Sequence, residues 1–399
     1  MRVPHEDMAA GERPGAILRV SSSSGPATVR ARESSPGRNI DWPLVVVQFA
    51  LSGVGLAIIY SASRTKAADP YLFVTRQEIF LIVAVAAMAV VMSVDYSFWR
   101  NHALVLYVGT LVALVGVRVV GTVSSGARLS FGVGAVKLQP GELAKLTVLV
   151  ALAASLSKDL PDREAYPRFL RGLLIVAGPA VLIMAQPDFG TTSVILAMGM
   201  GVLLVGGAKM RYIVLITVMS VITGLVAFRS GLVKPYQVDR FIAFFHQNSS
   251  DPKYHDILYQ SGNAVQAVAT GGLSGRGWLA GPITNAPNDI PVQWADFPTS
   301  AVGEQFGFAG CAGLIGLFII VLLRVWRISY LSRDSFGTYI CAGVFTMLLW
   351  QIFQNVGMTI GIMPVTGLPL PFISYGGSGV VATFIMIGLV QSVHMRRFR

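Results

Sequence analysis

Apolar runs long enough to cross a bilayer recur along this chain, near 43–60, 77–94, 102–121, 142–157, 169–185, 189–206, 211–228, 299–323, 337–363 and 377–394. A helix needs roughly 17 to 25 such residues to span about 30 Å of hydrocarbon. Inside a membrane only helices and closed barrels satisfy their own backbone polar groups. The pattern therefore predicts an all-α integral membrane protein of about ten transmembrane helices. At 53% hydrophobic and 13% charged residues, the 399-residue chain is too apolar for a soluble domain.

The formal net charge of +11 reads first as topology. With the N-terminus in the cytoplasm, about 19 of the 31 Lys and Arg fall in inside segments and about 10 outside, with Arg118 and Lys145 inside spans. This positive-inside pattern predicts cytoplasmic N- and C-termini and one large extracytoplasmic loop, 229–298, between spans 7 and 8. The basic charge points to contact with anionic membrane lipids and not to nucleic acid. Residues 1–40, with Ser21 to Ser24 and scattered Arg, Pro and Gly, read as a disordered cytoplasmic tail ahead of a membrane domain over 41–399. No removable signal peptide is expected, since the first span itself would direct insertion. Cys311 and Cys341 fall in or beside apolar helices and are expected to stay thiols.

Charged groups in a membrane helix cost on the order of 3 kcal/mol, so their placement is informative. The segment GARLSFGVGAVKLQPGELAK opens the fourth span, where Glu142 and Lys145 share one face three residues apart. Two readings fit: an ion pair that lets both residues enter the bilayer, or a polar cavity offering Lys137, Lys145 and Arg128 to an anionic headgroup. In QPDFGTT, Asp188 either caps the following helix or faces the same cavity. In FQNVGMTIGIMPVTGLPLPFISYGGSG, Gln354 and Asn355 precede a Pro- and Gly-punctuated link, which is either a tight loop or a wall built from Ser374, Tyr375, Gly376 and Gly377.

The outer loop is too long to be idle. An amphipathic run from Ile257 to Ala269 is suited to the membrane interface. Its candidate acids are Asp251, Asp256, Asp289 and Asp296. Asp296 differs from the rest because Trp294 and Phe297 would desolvate it, raising its pKa toward the range a general base needs at neutral pH.

Taken together, DWPL with YSAS at 60–63, the Arg76-Gln77 pair, GARLSFGVGAVKLQPGELAK, QPDFGTT, the DRF and DP elements, GGLSGRGW, WADFPTSAVGEQFGF and PVTGLPLPFISYGGSG resemble the SEDS family of shape, elongation, division and sporulation proteins. The resemblance runs from about Ile40 to Arg397, and its wording is nearer the RodA branch than the FtsW branch. It implies a peptidoglycan glycosyltransferase of the cytoplasmic (inner) membrane that polymerises lipid II at the outer face. It also implies a class B penicillin-binding protein as partner, alongside other elongation or division proteins. The family's essential loop aspartate falls on Asp296, its basic position before the fourth span on Lys137, and its intramembrane lysine on Lys145.

On that reading Lys137 and Lys145, with Arg76 or Arg128, would bind the lipid diphosphate. Asp296 would take the proton from the attacking sugar hydroxyl. Glu142, Asp188 and Ser374 complete the candidate binding residues, and a divalent cation (Mg or Mn) would assist at the diphosphate. The chain departs from the family at Ala295 and Pro298 beside the acid, at Ser130 where tryptophan is usual, and at Gln305 after Glu304. Two other classes share many of these features: a flippase for lipid-linked precursors, and a non-catalytic scaffold for a penicillin-binding protein.

Overall fold

The computed structural model describes residues 39–124, 127–133, 136–158, 165–218, 235–247, 251–286 and 288–398. The 1–40 tail thus lies almost wholly outside the described residues. Long helices dominate: α1 (Trp42–Ser63), α2 (Leu72–Ser93), the short α3 (Tyr96–Asn101), α4 (Ala103–Val120), α5 (Pro140–Leu156), α6 (Ala165–Met184) and α7 (Phe189–Val205). The large loop contributes α8 (Pro235–Phe245), α9 (His255–Gly271), and the single turns α10 (Pro282–Asn285) and α11 (Gln293–Asp296). Three helices close the chain: α12 (Pro298–Tyr330), α13 (Ser335–Thr359) and α14 (Gly377–Met395).

Seven of these, among the described residues, are long and apolar enough to cross a bilayer: α1, α2, α4, α6, α12, α13 and α14. The spans expected at 142–157 and 189–206 appear as the 17-residue helices α5 and α7. The one expected at 211–228 is helical over 210–218, and the rest of it lies outside the described residues. The chain is a multi-pass membrane protein.

Several helices start where the sequence supplies a stop for free N–H groups. Asp41 accepts from Leu44 N at 3.0 Å, Asp188 from Thr191 N at 2.9 Å, and Asp334 from Gly337 N at 2.8 Å. Pro43, Pro140 and Pro298 stand in first turns, where a missing N–H costs nothing. Inside the bundle α14 lies along α2, α13 along α7 and α12, and α5 along α4 and α6.

The expectation of a purely helical chain needs one correction. Between α4 and α5 stands a three-stranded antiparallel sheet: β1 (Thr122–Ser124), β2 (Ala127–Val133) and β3 (Val136–Leu138), with Thr122 opposite Ser130 and Gly132 opposite Lys137. Residues 127–133 alternate with period two, which suits a strand and not a helix, and short glycine-containing breaks separate the three segments. A side-chain clip fastens the sheet to the bundle: the Ser378 hydroxyl donates to Lys137 O at 2.8 Å and accepts from Gln139 N at 3.1 Å.

Hydrogen bonds sort the molecule into two ends. At one, Gln391 exchanges two bonds of 3.0 Å with the backbone of Asp41, Arg324 grips the Asp41 carboxylate, and Arg396 donates to Ser93 O at 2.9 Å. This joins the start of α1, the end of α2 and the ends of α12 and α14, and so brings the two ends of the described chain together. At the other end lie the sheet, the α6–α7 turn, the large loop and the 360–376 link.

The large loop is locked to α12 by a glycine seam. Gly307 adopts φ 64°, ψ −158° and breaks the 33-residue α12, freeing carbonyls near the break. Arg276 N then donates to Glu304 O at 2.9 Å, Gly277 N to Gln305 O at 3.0 Å, and Phe308 N to Gly272 O at 2.8 Å. Helix α9 covers the expected amphipathic run. Its Ala264 and Ala267 are fully buried against Phe297 and Met358, so this face packs on protein instead of lying free at an interface.

Candidate active site

Where the sheet, the α6–α7 turn, α8, α11 and the 360–376 link converge, they line an open cavity of about 620 Å³. Asp296 is on its wall together with Arg76 from α2, Lys137 from β3, Glu142 from α5, Asp188, and Ser374 from the link. Six of the eight residues singled out from sequence thus meet in one space. The Arg128 side chain lies outside the described residues. Lys145 is not a wall residue: it is 1% exposed and bound to Glu142 at 2.7 Å. The ion pair and the cavity, posed as alternatives, coexist, with Glu142 facing the cavity and its cation behind it.

Asp296 is placed from below by buried amides and flanked by aromatics. The Asn355 side-chain NH₂ donates to Asp296 O at 2.9 Å and to Leu368 O at 2.8 Å, while Thr299 Oγ1 donates to Asn355 Oδ1 at 3.2 Å. Three residues before the acid, Gln293 donates to Thr284 Oγ1 and Ser300 Oγ and accepts from Lys66 Nζ, which also donates to Ile290 O at 2.8 Å. Glu304, itself fully buried, accepts from Ile283 N and Thr284 N at 2.8 Å and holds the turn α10 beneath. Trp294 packs on Phe73 with ring centres 4.6 Å apart, and Phe297 enters the cluster under α9.

The Asp296 carboxylate lines the cavity and is otherwise largely surrounded by protein. Desolvation pushes its pKa up to about 6, against the opposing pull of the Arg240 charge. That is the direction expected from Trp294 and Phe297, and it leaves the carboxylate largely ionised at neutral pH while basic enough to accept a proton. Burial likewise lowers Lys66 to about 8.

Asp188 performs both roles considered for it. It caps α7, accepts a 3.3 Å bond from Gln139 Nε2 and faces the cavity, and burial raises its pKa. The link is likewise both loop and wall. Its irregular backbone is satisfied by side chains: Gln77 donates to Ser374 O at 3.3 Å and accepts from Gly376 N at 3.2 Å, and Ser374 Oγ accepts from Leu370 N at 2.8 Å. Phe372, with φ 66°, is held in a conformation a bulky residue avoids.

No three His, Cys, Asp or Glu side chains come together as a metal site among the described residues. Two of the three cavity acids are committed elsewhere, Glu142 to Lys145 and Asp188 to the α7 cap, which leaves Asp296 alone. This donor set does not fit a resident divalent cation.

Among the cavity residues that sequence reasoning missed are Arg240 and Gln139. Arg240 on α8 was visible only inside the DRF element, with nothing local to show that α8 folds over the acid. Gln139 was hidden because its partners, Asp188 and Ser378, are 49 and 239 residues away.

The cell cycle protein family model FtsW/RodA/SpoVE matches residues 42–398. Stage V sporulation protein E of Bacillus subtilis (strain 168) is 33% identical over 365 residues, covering 88% of this chain and 96% of the relative. Peptidoglycan glycosyltransferase MrdB of Escherichia coli (strain K12) is 29% identical over 363 residues, covering 90% and 94%. Among solved structures, a chain of a peptidoglycan synthase complex, described as coordinating polymerization and crosslinking, superposes with a TM-score of 0.77 at 28% identity. It covers 90% of this chain and 99% of its own length. The sequence motifs, the cavity they build and these full-length matches agree: the chain belongs to the FtsW/RodA/SpoVE family.

Proposed function

We propose that this protein is a peptidoglycan glycosyltransferase that polymerises lipid II at the outer face of the cytoplasmic membrane, with Asp296 as general base. The observation that carries the reading is one cavity lined by a desolvated carboxylate and by two exposed cations, Arg76 and Lys137. The MrdB similarity supports the reaction class, and the likeness to a synthase chain supports a cross-linking partner, here a class B penicillin-binding protein.

In the reaction, the acceptor sugar hydroxyl gives its proton to the Asp296 carboxylate as its oxygen bonds to the donor's anomeric carbon. The bond from that carbon to the polyprenyl diphosphate breaks, and the leaving group takes the electron pair. Negative charge grows on the diphosphate, where Arg76 and Lys137 stabilise it. One base suffices for this single displacement. Relatives named for sporulation and for peptidoglycan synthesis match at similar identity, so the RodA-like wording of PVTGLPLPF remains the support for an elongation role.

The test is glycan synthesis from lipid II by the purified protein with its partner. Asp296→Asn should abolish polymer while leaving the complex intact. Polymer at the wild-type rate from that variant would refute the assignment. Loss of lipid scrambling with polymer retained would favour a transporter, and wild-type synthesis from both Asp296→Asn and Lys137→Ala would favour a scaffold.

A further inference from the structure

Arg240 is a cation the reaction above leaves unused. It lines the main cavity and also a second chamber of about 240 Å³ between α8, α9 and the 358–365 segment, the two spaces sharing Arg240, Pro364 and Val365. A guanidinium carries five N–H donors. Among the described residues its one hydrogen bond is to Val365 O, at 3.5 Å the limit of such a contact.

Helix α8 does not need that bond to stay in place. The carboxylate of the adjacent Asp239 is taken by Lys253 at 2.8 Å, Gln247 Nε2 donates to Gly361 O at 3.0 Å, and Phe241 meets Phe189 edge to face with ring centres 6.0 Å apart. The helix is pinned by its neighbours, and the guanidinium stands at the junction of the two cavities with most donors unpaired among the described residues.

We propose that Arg240 binds an anionic oxygen of the substrate on the Asp296 side of the cavity, exchanging its weak contact with Val365 for the ligand. The assignment rests on the glycosyltransferase reading. The anion is a phosphate or a carboxylate, from the lipid diphosphate or from the stem peptide. Arg76 and Lys137 approach from α2 and β3 and Arg240 from α8, so a phosphate or carboxylate can be held from two sides while the sugar lies over Asp296. A half-free guanidinium also has a use before substrate arrives, because its charge offsets part of the desolvation of Asp296. The other ionisable groups on the wall are Arg76, Lys137, Glu142, Asp188 and Tyr375.

The full-length chain with its penicillin-binding partner is assayed for lipid II polymerisation across pH, as wild type, Arg240→Gln and Arg240→Lys. Losing one charged hydrogen bond to the substrate raises KM about tenfold or more in Arg240→Gln. Losing the charge also moves the acid limb of kcat/KM to higher pH, since an opposing cation no longer favours ionised Asp296. Arg240→Lys keeps the limb near wild type with an intermediate KM. Two arms identify the source: weakened inhibition by polyprenyl diphosphate in Arg240→Gln assigns the diphosphate, and a KM gap that closes on lipid II with amidated stem-peptide carboxylates assigns the peptide. A fall in kcat alone, with KM and the acid limb unmoved, means a structural role and overturns the proposal. If Asp296→Asn polymerises normally, the reading of the reaction fails; if it is dead while Arg240→Gln is unchanged, only this inference fails.

Discussion

Replacing Asn355 with leucine tests whether the acid is held by its backbone. The side chain is fully buried, and its NH₂ satisfies two carbonyls, Asp296 O and Leu368 O, while its Oδ1 accepts from Thr299. Leucine keeps the same branched heavy-atom skeleton but cannot bond, so the change removes three hydrogen bonds and leaves two carbonyls and a hydroxyl unpaired. Each stranded group costs about 1–3 kcal/mol. Allowing Thr299 to turn back onto its own helix and the loop to relax, a loss of roughly 3–5 kcal/mol is expected. Activity should fall further than stability alone requires, because a misplacement of about 1 Å costs on the order of a hundredfold in rate. The assay pairs thermal unfolding in detergent with initial rates of lipid II polymerisation, taken well below the melting temperature. Thr359→Val is the control. It removes a hydroxyl that bonds only within α13, to Asn355 O at 2.9 Å, and should leave the rate near wild type. An Asn355→Leu protein that unfolds and polymerises like wild type would show that Asp296 is positioned by something else.

Three further outcomes follow from the same geometry. Polymerisation should rise with pH through an acid limb near 6, where Asp296 ionises, and a kcat/KM profile flat from pH 5 to 8 would contradict it as base. The folded protein holds that proton more tightly than the unfolded chain, so stability is fullest below the ordinary value of 3.8 and declines as pH rises through about 6. The interval is worth roughly 3 kcal/mol. Asp296→Asn should therefore melt higher than wild type at pH 7 and show no advantage near pH 4, as read by thermal shift. Lys145→Met strands a buried carboxylate at Glu142 and should cost about 3–5 kcal/mol, with Glu142→Gln/Lys145→Met recovering much of it in the same measurement.

The helices were legible because a bilayer allows little else: a long apolar run has one way to hide its backbone. Asp188 as a cap was readable for the same local reason, since Pro187 and the following apolar run mark a helix start. The sheet at 122–138 was masked by its motif, which drew attention to Lys137 and Glu142 and away from the period-two alternation at 127–133 ahead of them. For Asp296 the flanking Trp294 and Phe297 were enough to foresee desolvation, but not what supports it. Asn355, Lys66 and Gln293 come from three separated stretches, and only the closed fold shows that they meet. Lys145 shows the converse limit. Its i,i+3 spacing to Glu142 declared the pair, yet spacing cannot say which partner faces open space.

The glycine seam bears on how such a chain can change over time. A side chain at Gly271, Gly275 or Gly307 would strike backbone atoms, those of Gly303, of Gln305 and of Gly275 and Leu273 respectively. Most steric conflicts in proteins can be relieved by a second mutation that trims the neighbour. Here there is nothing on the other side to trim, because peptide groups are the same in every sequence. The joint between loop and helix therefore admits no compensating path for anything but glycine, whereas the walls around Asp296 are largely side chains that a second substitution can trim.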